Sequence, residues 1–227
     1  MSQPYFDVMN VHQLRNRAER FGSEPYWFGL GFIQLKLSDT ERMHFWTPAI
    51  PRKEREEIHN HRYNFTSLVL AGKLKHQTFY AVPHELGPYE LFRTNCSPEK
   101  EGVVETVTPH YVFSSGYYEM VTGTKYFFPH SQFHTTEETL FAVTYLRREP
   151  KVKEFADVIK TRGAGTTCLF AEKIPAEICW QYIAKALDHA VHHEKVHSIP
   201  CRACGAPSGQ FGEKPSVKDV VCGFCNG

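Results

Sequence analysis

The chain has 227 residues, 41% hydrophobic and 14% aromatic, enough for one sizeable core with some chain left for a small appendage. Its 26 basic and 25 acidic side chains nearly cancel, so no overall charge draws it to nucleic acid or an anionic membrane. No apolar run approaches a membrane span, and "MSQPYFDVMN" lacks the charged and apolar regions of a secretory signal, so a cytoplasmic protein is expected.

The first predicted element is a helix in "NVHQLRNRAERFG", with Val11, Leu14, Ala18 and Phe21 on one face, Asn10 as N-cap and Gly22 as stop. From Tyr26 to Arg148 the pattern changes to short β-rich runs divided by turn residues: "YWFGLGFIQLKL", "RMHFWTP", "NFTSLVLAG", "KLKHQTFYAV", "VVETVTPHYVFSS", "YYEMVTG", "TKYFFP" and "TLFAVTYL". Such a series predicts a mainly β fold, an antiparallel barrel or jelly roll. A polar stretch follows, then a second helix in "PAEICWQYIAKALDHAVHHEKVH", with Ile178, Tyr182, Ala186 and Ala190 as its inner stripe and Pro200 as its end. The predicted units are an N-terminal helix (1–22), a barrel (23–150), a linker and helix (151–198) and a cysteine-rich tail (199–227).

In "EEIHNHRYNFTSLVLAGKL", side-chain alternation along one extended run puts His59 and His61 on the same face as Tyr63 and Phe65, which points inward. A later stretch, "GTKYFFPHSQFHTTEE", holds Gly123, then Pro129, then His134. Together these resemble the two motifs of the cupin superfamily, a His-x-His pair with an approaching glycine (here Gly72) and a glycine, a proline and a third histidine. Ser131 stands where the second motif often has another glycine. The resemblance covers roughly residues 23–150 and implies a small double-sheet barrel in which His59, His61 and His134 meet at one divalent metal. Imidazole suits zinc, iron, copper, nickel or manganese, and three ligands on one side of an ion leave positions for substrate, water or oxygen.

Many cupins carry a glutamate shortly after the pair, whereas the equivalent inward residue here is Phe65; Glu119 in "YYEMVTG" is the candidate carboxylate from elsewhere in the barrel. Three neutral histidines leave the ion its full double charge, which favours an anionic substrate and, with iron(II), leaves room for oxygen. This is similar to the thiol dioxygenases of the superfamily, such as cysteine dioxygenase. Those enzymes carry serine, histidine and tyrosine at alternating positions after the third ligand, where this chain has Thr144, Leu146 and Arg148. The resemblance implies a non-haem iron(II) dioxygenase of the three-histidine class acting on a small molecule. The alternatives are a non-redox zinc or manganese cupin of isomerase or hydrolase type, a ligand-binding sensor, and a nucleic-acid adaptor. Tyr63, beside the ligands, is a candidate for hydrogen bonding to substrate or for packing. His76 has inward parity if the turn at Gly72 preserves register, and Arg62 has outward parity. A homodimer is implied by resemblance alone.

In the tail, Cys201, Cys204, Cys222 and Cys225 form two CxxC pairs with 17 residues between them, the spacing of a structural four-thiolate zinc site, and the segment resembles a zinc ribbon. Arg202, Lys214 and Lys218 are its candidate nucleic-acid contacts, with a stabilising or dimerising cap as the simpler reading. Cys96 reads as a loop cysteine, Cys168 and Cys179 as small core residues, and His189, His193 and His197 as a solvated helix face.

Overall fold

In a computed structural model, the described residues are 11–53, 56–95, 103–137, 139–164, 173–193, 196–200 and 207–211. Within them the fold is mainly antiparallel β, an 11-stranded sheet flanked by helices α1 (Val11–Phe21) and α2 (Ala176–His193). The strands are β1 (Tyr26–Phe28), β2 (Phe32–Lys36), β3 (Glu41–Trp46), β4 (Ile58–His59), β5 (Phe65–Pro83), β6 (Tyr89–Thr94), β7 (Val103–Val121), β8 (Lys125–Phe128), β9 (Phe133–Thr136), β10 (Ala142–Arg148) and β11 (Ala156–Thr161). A separate hairpin pairs β12 (Val196–Pro200) with β13 (Pro207–Phe211). Cys201, Cys204, Cys222 and Cys225 and the basic residues Arg202, Lys214 and Lys218 lie outside the described residues, as do Cys96, Cys168 and Asn10.

β5 is the hinge of the architecture. Its first half pairs with β10 and β8 and its second half with β7 and β9. The sequence reading divides this run into two strands at Gly72. The structure keeps one 19-residue strand, because Gly72 takes φ +76° and lets the chain bend without breaking its ladder. A side chain is excluded there, since a Cβ would lie 2.3 Å from the carbonyl oxygen of Phe141. The two runs expected on either side of Gly116 likewise fuse into β7. The polar stretch read as a linker contributes β11, which pairs with β6 and with β4.

β2, β3 and β10 are covered on both faces, and alternation sorts their residues. Ile33, Leu35, Met43, Phe45, Val143 and Tyr145 pack outward against Leu14 and Ala18 of α1 and Cys179, Ile183, Ala186 and Leu187 of α2. The inner stripe of α2 is therefore rotated from the one expected. Ala186 and Ala190 are buried as foreseen, but Ile178 is 37% exposed and Cys179 takes its place. Cys179 is fully buried against the sheet, and burial pushes its pKa up to about 11. The opposite faces of the same strands line an internal cavity of roughly 700 Å³, within the range typical of small-molecule sites.

Candidate metal centre

The stretch from His59 to Asn64 is not the continuous strand that alternation assumes. β4 ends at His59, β5 begins at Phe65, and residues 60–64 bend between them. His59 and His61 still converge, because the bend is pinned on both sides of His61. Asn60, buried between the two histidines, donates from its side-chain nitrogen to Asp157 Oδ2 (2.8 Å) and accepts from the Asp157 backbone amide (2.7 Å) and Lys153 Nζ (2.8 Å). Asn64 accepts from both the backbone amide and the ring of His130 (2.8 and 2.9 Å). His134 arrives from β9, whose only partner in β4 is His59, in register opposite it.

These three histidines offer one nitrogen each within 4.8 Å of one another. His61 Nε2 and His134 Nε2 are 2.9 Å apart, close to the roughly 3 Å between adjacent nitrogens on one ion with bonds of about 2.1 Å. The tautomers suit ligation. His59 donates from Nδ1 to the Glu57 carbonyl (2.9 Å), leaving its Nε2 lone pair free. Burial, then the neighbouring imidazoles, hold His61 and His134 well below the ordinary histidine range, with Arg42 adding to the effect on His61. Both are neutral near pH 7, as metal ligation requires.

His134 is held in turn from behind. Its Nδ1 lies 3.0 Å from Nδ1 of His76, whose Nε2 lies 3.2 Å from the Tyr126 hydroxyl. With an ion bound, the His134 Nε2 lone pair would face it, so Nδ1–H would donate to His76, which would then carry its own proton on Nε2 and donate to Tyr126. Burial keeps His76 neutral, its pKa down to about 3, and pushes Tyr126 up to about 12. His76 thus has the inward parity its strand position suggested.

Phe65, at the position where many cupins place a glutamate, stacks on Phe128 (5.4 Å) and meets the edge of His61 (5.0 Å), which keeps that side of the centre dry. A carboxylate does lie beside the histidines, from a residue the sequence reading did not select, although it stands outside the group of three that converge. Glu56 Oε1 is 3.8 Å from His59 Nε2, and its other oxygen accepts the Thr136 backbone amide. Its signal was present as Glu-x-x-His-x-His, upstream of the pair instead of downstream. Glu119, the candidate chosen, is 42% exposed, pairs with Lys73 and Lys75, and does not line the cavity. Tyr63 does line it, stacked on His61 at 5.7 Å with the guanidinium groups of Arg42 and Arg148 each 5.4 Å from its ring. Arg62, expected to face away, borders the cavity because the bend interrupts alternation. Thr144, Leu146 and Arg148 all face inward from β10. Of the remaining histidines in the barrel region, His84 is exposed and His110 is buried against the Thr108 carbonyl, outside the cavity.

No family model matches the chain, and no curated protein matches it. Among solved structures, it aligns with hydroquinone 1,2-dioxygenase PnpCD in complex with Cd2+ and 4-hydroxybenzonitrile at 13% identity and TM-score 0.27, over 66% of this chain and 83% of that one. It also aligns with hydroquinone 1,2-dioxygenase from Sphingomonas sp. TTNP3 with 4-hydroxybenzoate bound, at 11% identity and TM-score 0.24, over 49% and 60% of the two chains. Similarity this distant carries no weight for the chemistry, which is read from the chain's own side chains.

Proposed function

We propose that this protein is a metal-dependent cupin enzyme, a non-haem iron(II) dioxygenase acting on a small molecule, with His59, His61 and His134 holding the ion. The observation that carries the reading is three mutually close imidazoles on the wall of a cavity of roughly 700 Å³, two of them, His61 and His134, held neutral by burial. When bound, iron(II) supplies the redox chemistry that lets dioxygen react with an organic molecule. The protein's own contribution is positional. Glu57 and the His76–Tyr126 pair fix two ligand tautomers, and the Asn60 and Asn64 ties hold His61 in reach. Phe65 and Phe128 keep water from one flank. Tyr63, Glu56 and the cavity floor meet the substrate in this reading. The test is oxygen uptake by anaerobically iron-loaded protein with a panel of thiols, diols and small acids. Uptake dependent on one of them, and absent in His134→Ala, supports the reading; no uptake with any of them refutes it.

Glu56 favours a second reading. Its carboxylate 3.8 Å from His59 Nε2 would complete a nitrogen and oxygen donor set suited to manganese or zinc, and a non-redox reaction would then replace oxygenation. The tail cysteines Cys201, Cys204, Cys222 and Cys225 are proposed to hold a structural zinc, which elemental analysis of a variant with all four replaced by serine would test.

A further inference from the structure

Three strands place an uncommon row of polar side chains on the cavity floor. In register, Lys36 pairs with Arg42 and Gln34 with His44, and His44 pairs with Thr144 on its other side. Gln34 is 6% and Thr144 1% exposed. A buried polar row of this kind must balance donors against acceptors.

It does not balance here. Arg42 can only donate, and its NH1 donates to Gln34 Oε1 at 3.0 Å, which fixes the orientation of the glutamine amide. His44 Nε2, 3.3 Å from the same oxygen, must therefore also donate. That leaves His44 Nδ1 as acceptor for the Thr144 hydroxyl at 3.3 Å. The acceptors nearest these donors, Gln34 Oε1 and His44 Nδ1, are engaged. Arg42 Nε is buried without a partner, and no hydrogen bond from the Gln34 amide NH2 is found among the described residues. The unmet groups of Arg42 and Gln34 are donors, one on a full positive charge, while the hydroxyl oxygens of Thr144 and Ser67 on the same cavity keep acceptor capacity of their own; a buried donor without an acceptor is costly.

The surroundings add shape. Arg42 packs against Tyr63, the ring that also stacks on His61, so the surplus donors stand within one side chain of the three histidines. On the same floor Phe32 stacks with Phe28 (4.7 Å) and packs against Trp46 (5.1 Å), forming a flat apolar wall beside the row.

We propose that the cavity takes a planar aromatic carboxylate, its carboxyl group held by Arg42 and Gln34, its ring against Phe32 and Trp46, and its far side toward His59, His61 and His134. The donor surplus matches a carboxylate, which only accepts, and the guanidinium fork suits its two oxygens. The inference rests on the enzyme reading above for what the histidines do, but binding to the row does not require a metal.

The test uses metal-free full-length protein titrated calorimetrically with benzoate and with benzamide, which has the same ring but no charge. Benzoate is expected to bind at least about tenfold more tightly than benzamide, and Arg42→Met to weaken benzoate by about ten- to a hundredfold. Arg42→Lys keeps the charge and loses the fork, and Gln34→Met removes one donor; each is expected to weaken benzoate by a smaller factor with the near-ultraviolet circular dichroism of the parent. Equal binding of benzoate and benzamide, no binding of either, or unchanged benzoate affinity in Arg42→Lys and Gln34→Met overturns the inference. The two readings fail separately: a protein that binds iron at the histidines but no benzoate loses only the carboxylate site, and one that binds benzoate through Arg42 but no metal loses only the enzyme reading.

Discussion

His44 provides a stability test of the cavity floor that needs neither metal nor substrate. Its imidazole is half-buried on the cavity wall, and burial, followed by the charge of Arg42, brings its pKa from 6.5 to about 3. It touches Gln34, Thr144, Phe32 and Trp46, and the Arg42 guanidinium and the His61 imidazole lie close enough to interact with it electrostatically. A histidine held neutral by the fold binds its proton more readily in the unfolded chain. Its effect on stability is therefore nil well above pH 6.5, and the folded state loses ground as pH falls from 6.5 toward 3. At pH 5 the unfolded chain carries the proton and the folded one does not, and the difference from pH 7 is about 2 kcal/mol. His44→Gln retains a donor toward Gln34 and an acceptor toward Thr144 while removing the titration. Calorimetry of metal-free protein at pH 7 and pH 5 should show the parent losing about 2 kcal/mol more than the variant, roughly 4–8 °C in Tm. Parallel losses in parent and variant would refute the claim that His44 is held neutral by burial.

Three further outcomes follow from the ties around the centre. Asn60→Ala removes three hydrogen bonds that pin the bend between the ligands; it should lower stability by about 2–4 kcal/mol in urea titration and weaken metal binding at the histidines. His76→Phe preserves bulk but leaves His134 Nδ1 without its partner, and competition with a chelator should show metal affinity reduced about 10- to 100-fold. Gly72→Ala forces a side chain into a positive-φ position facing the Phe141 carbonyl; urea titration should show a loss of about 1–3 kcal/mol from the backbone alone, and more from the clash.

The parts of this design that the sequence made legible are those set by local periodicity. The β-rich runs, the paired His59 and His61, the turn at Gly123 with φ +87° and the third histidine after Pro129 are each visible within a few residues. So is Phe65 as an inward aromatic in place of a carboxylate. What was hidden depends on contacts between distant segments. The inner stripe of α2 is set by which face the sheet accepts, so Cys179 replaces Ile178. Asn60 is tied to Asp157 across 97 residues, and no local pattern marks either. Arg42, Gln34 and Thr144 are unremarkable on separate strands and become a donor row only in register. Glu56 was hidden for another reason: it lies in the segment leading into β4, where strand alternation carries no information.

The central claim is that His59, His61 and His134 bind a divalent metal, and elemental analysis of anaerobically prepared protein tests it most directly. The intact chain is predicted to hold iron in proportion to protein, and His59→Ala and His134→Ala are predicted to lose that iron while any zinc content stays as in the parent. Equal metal content in the parent and both variants would contradict the account.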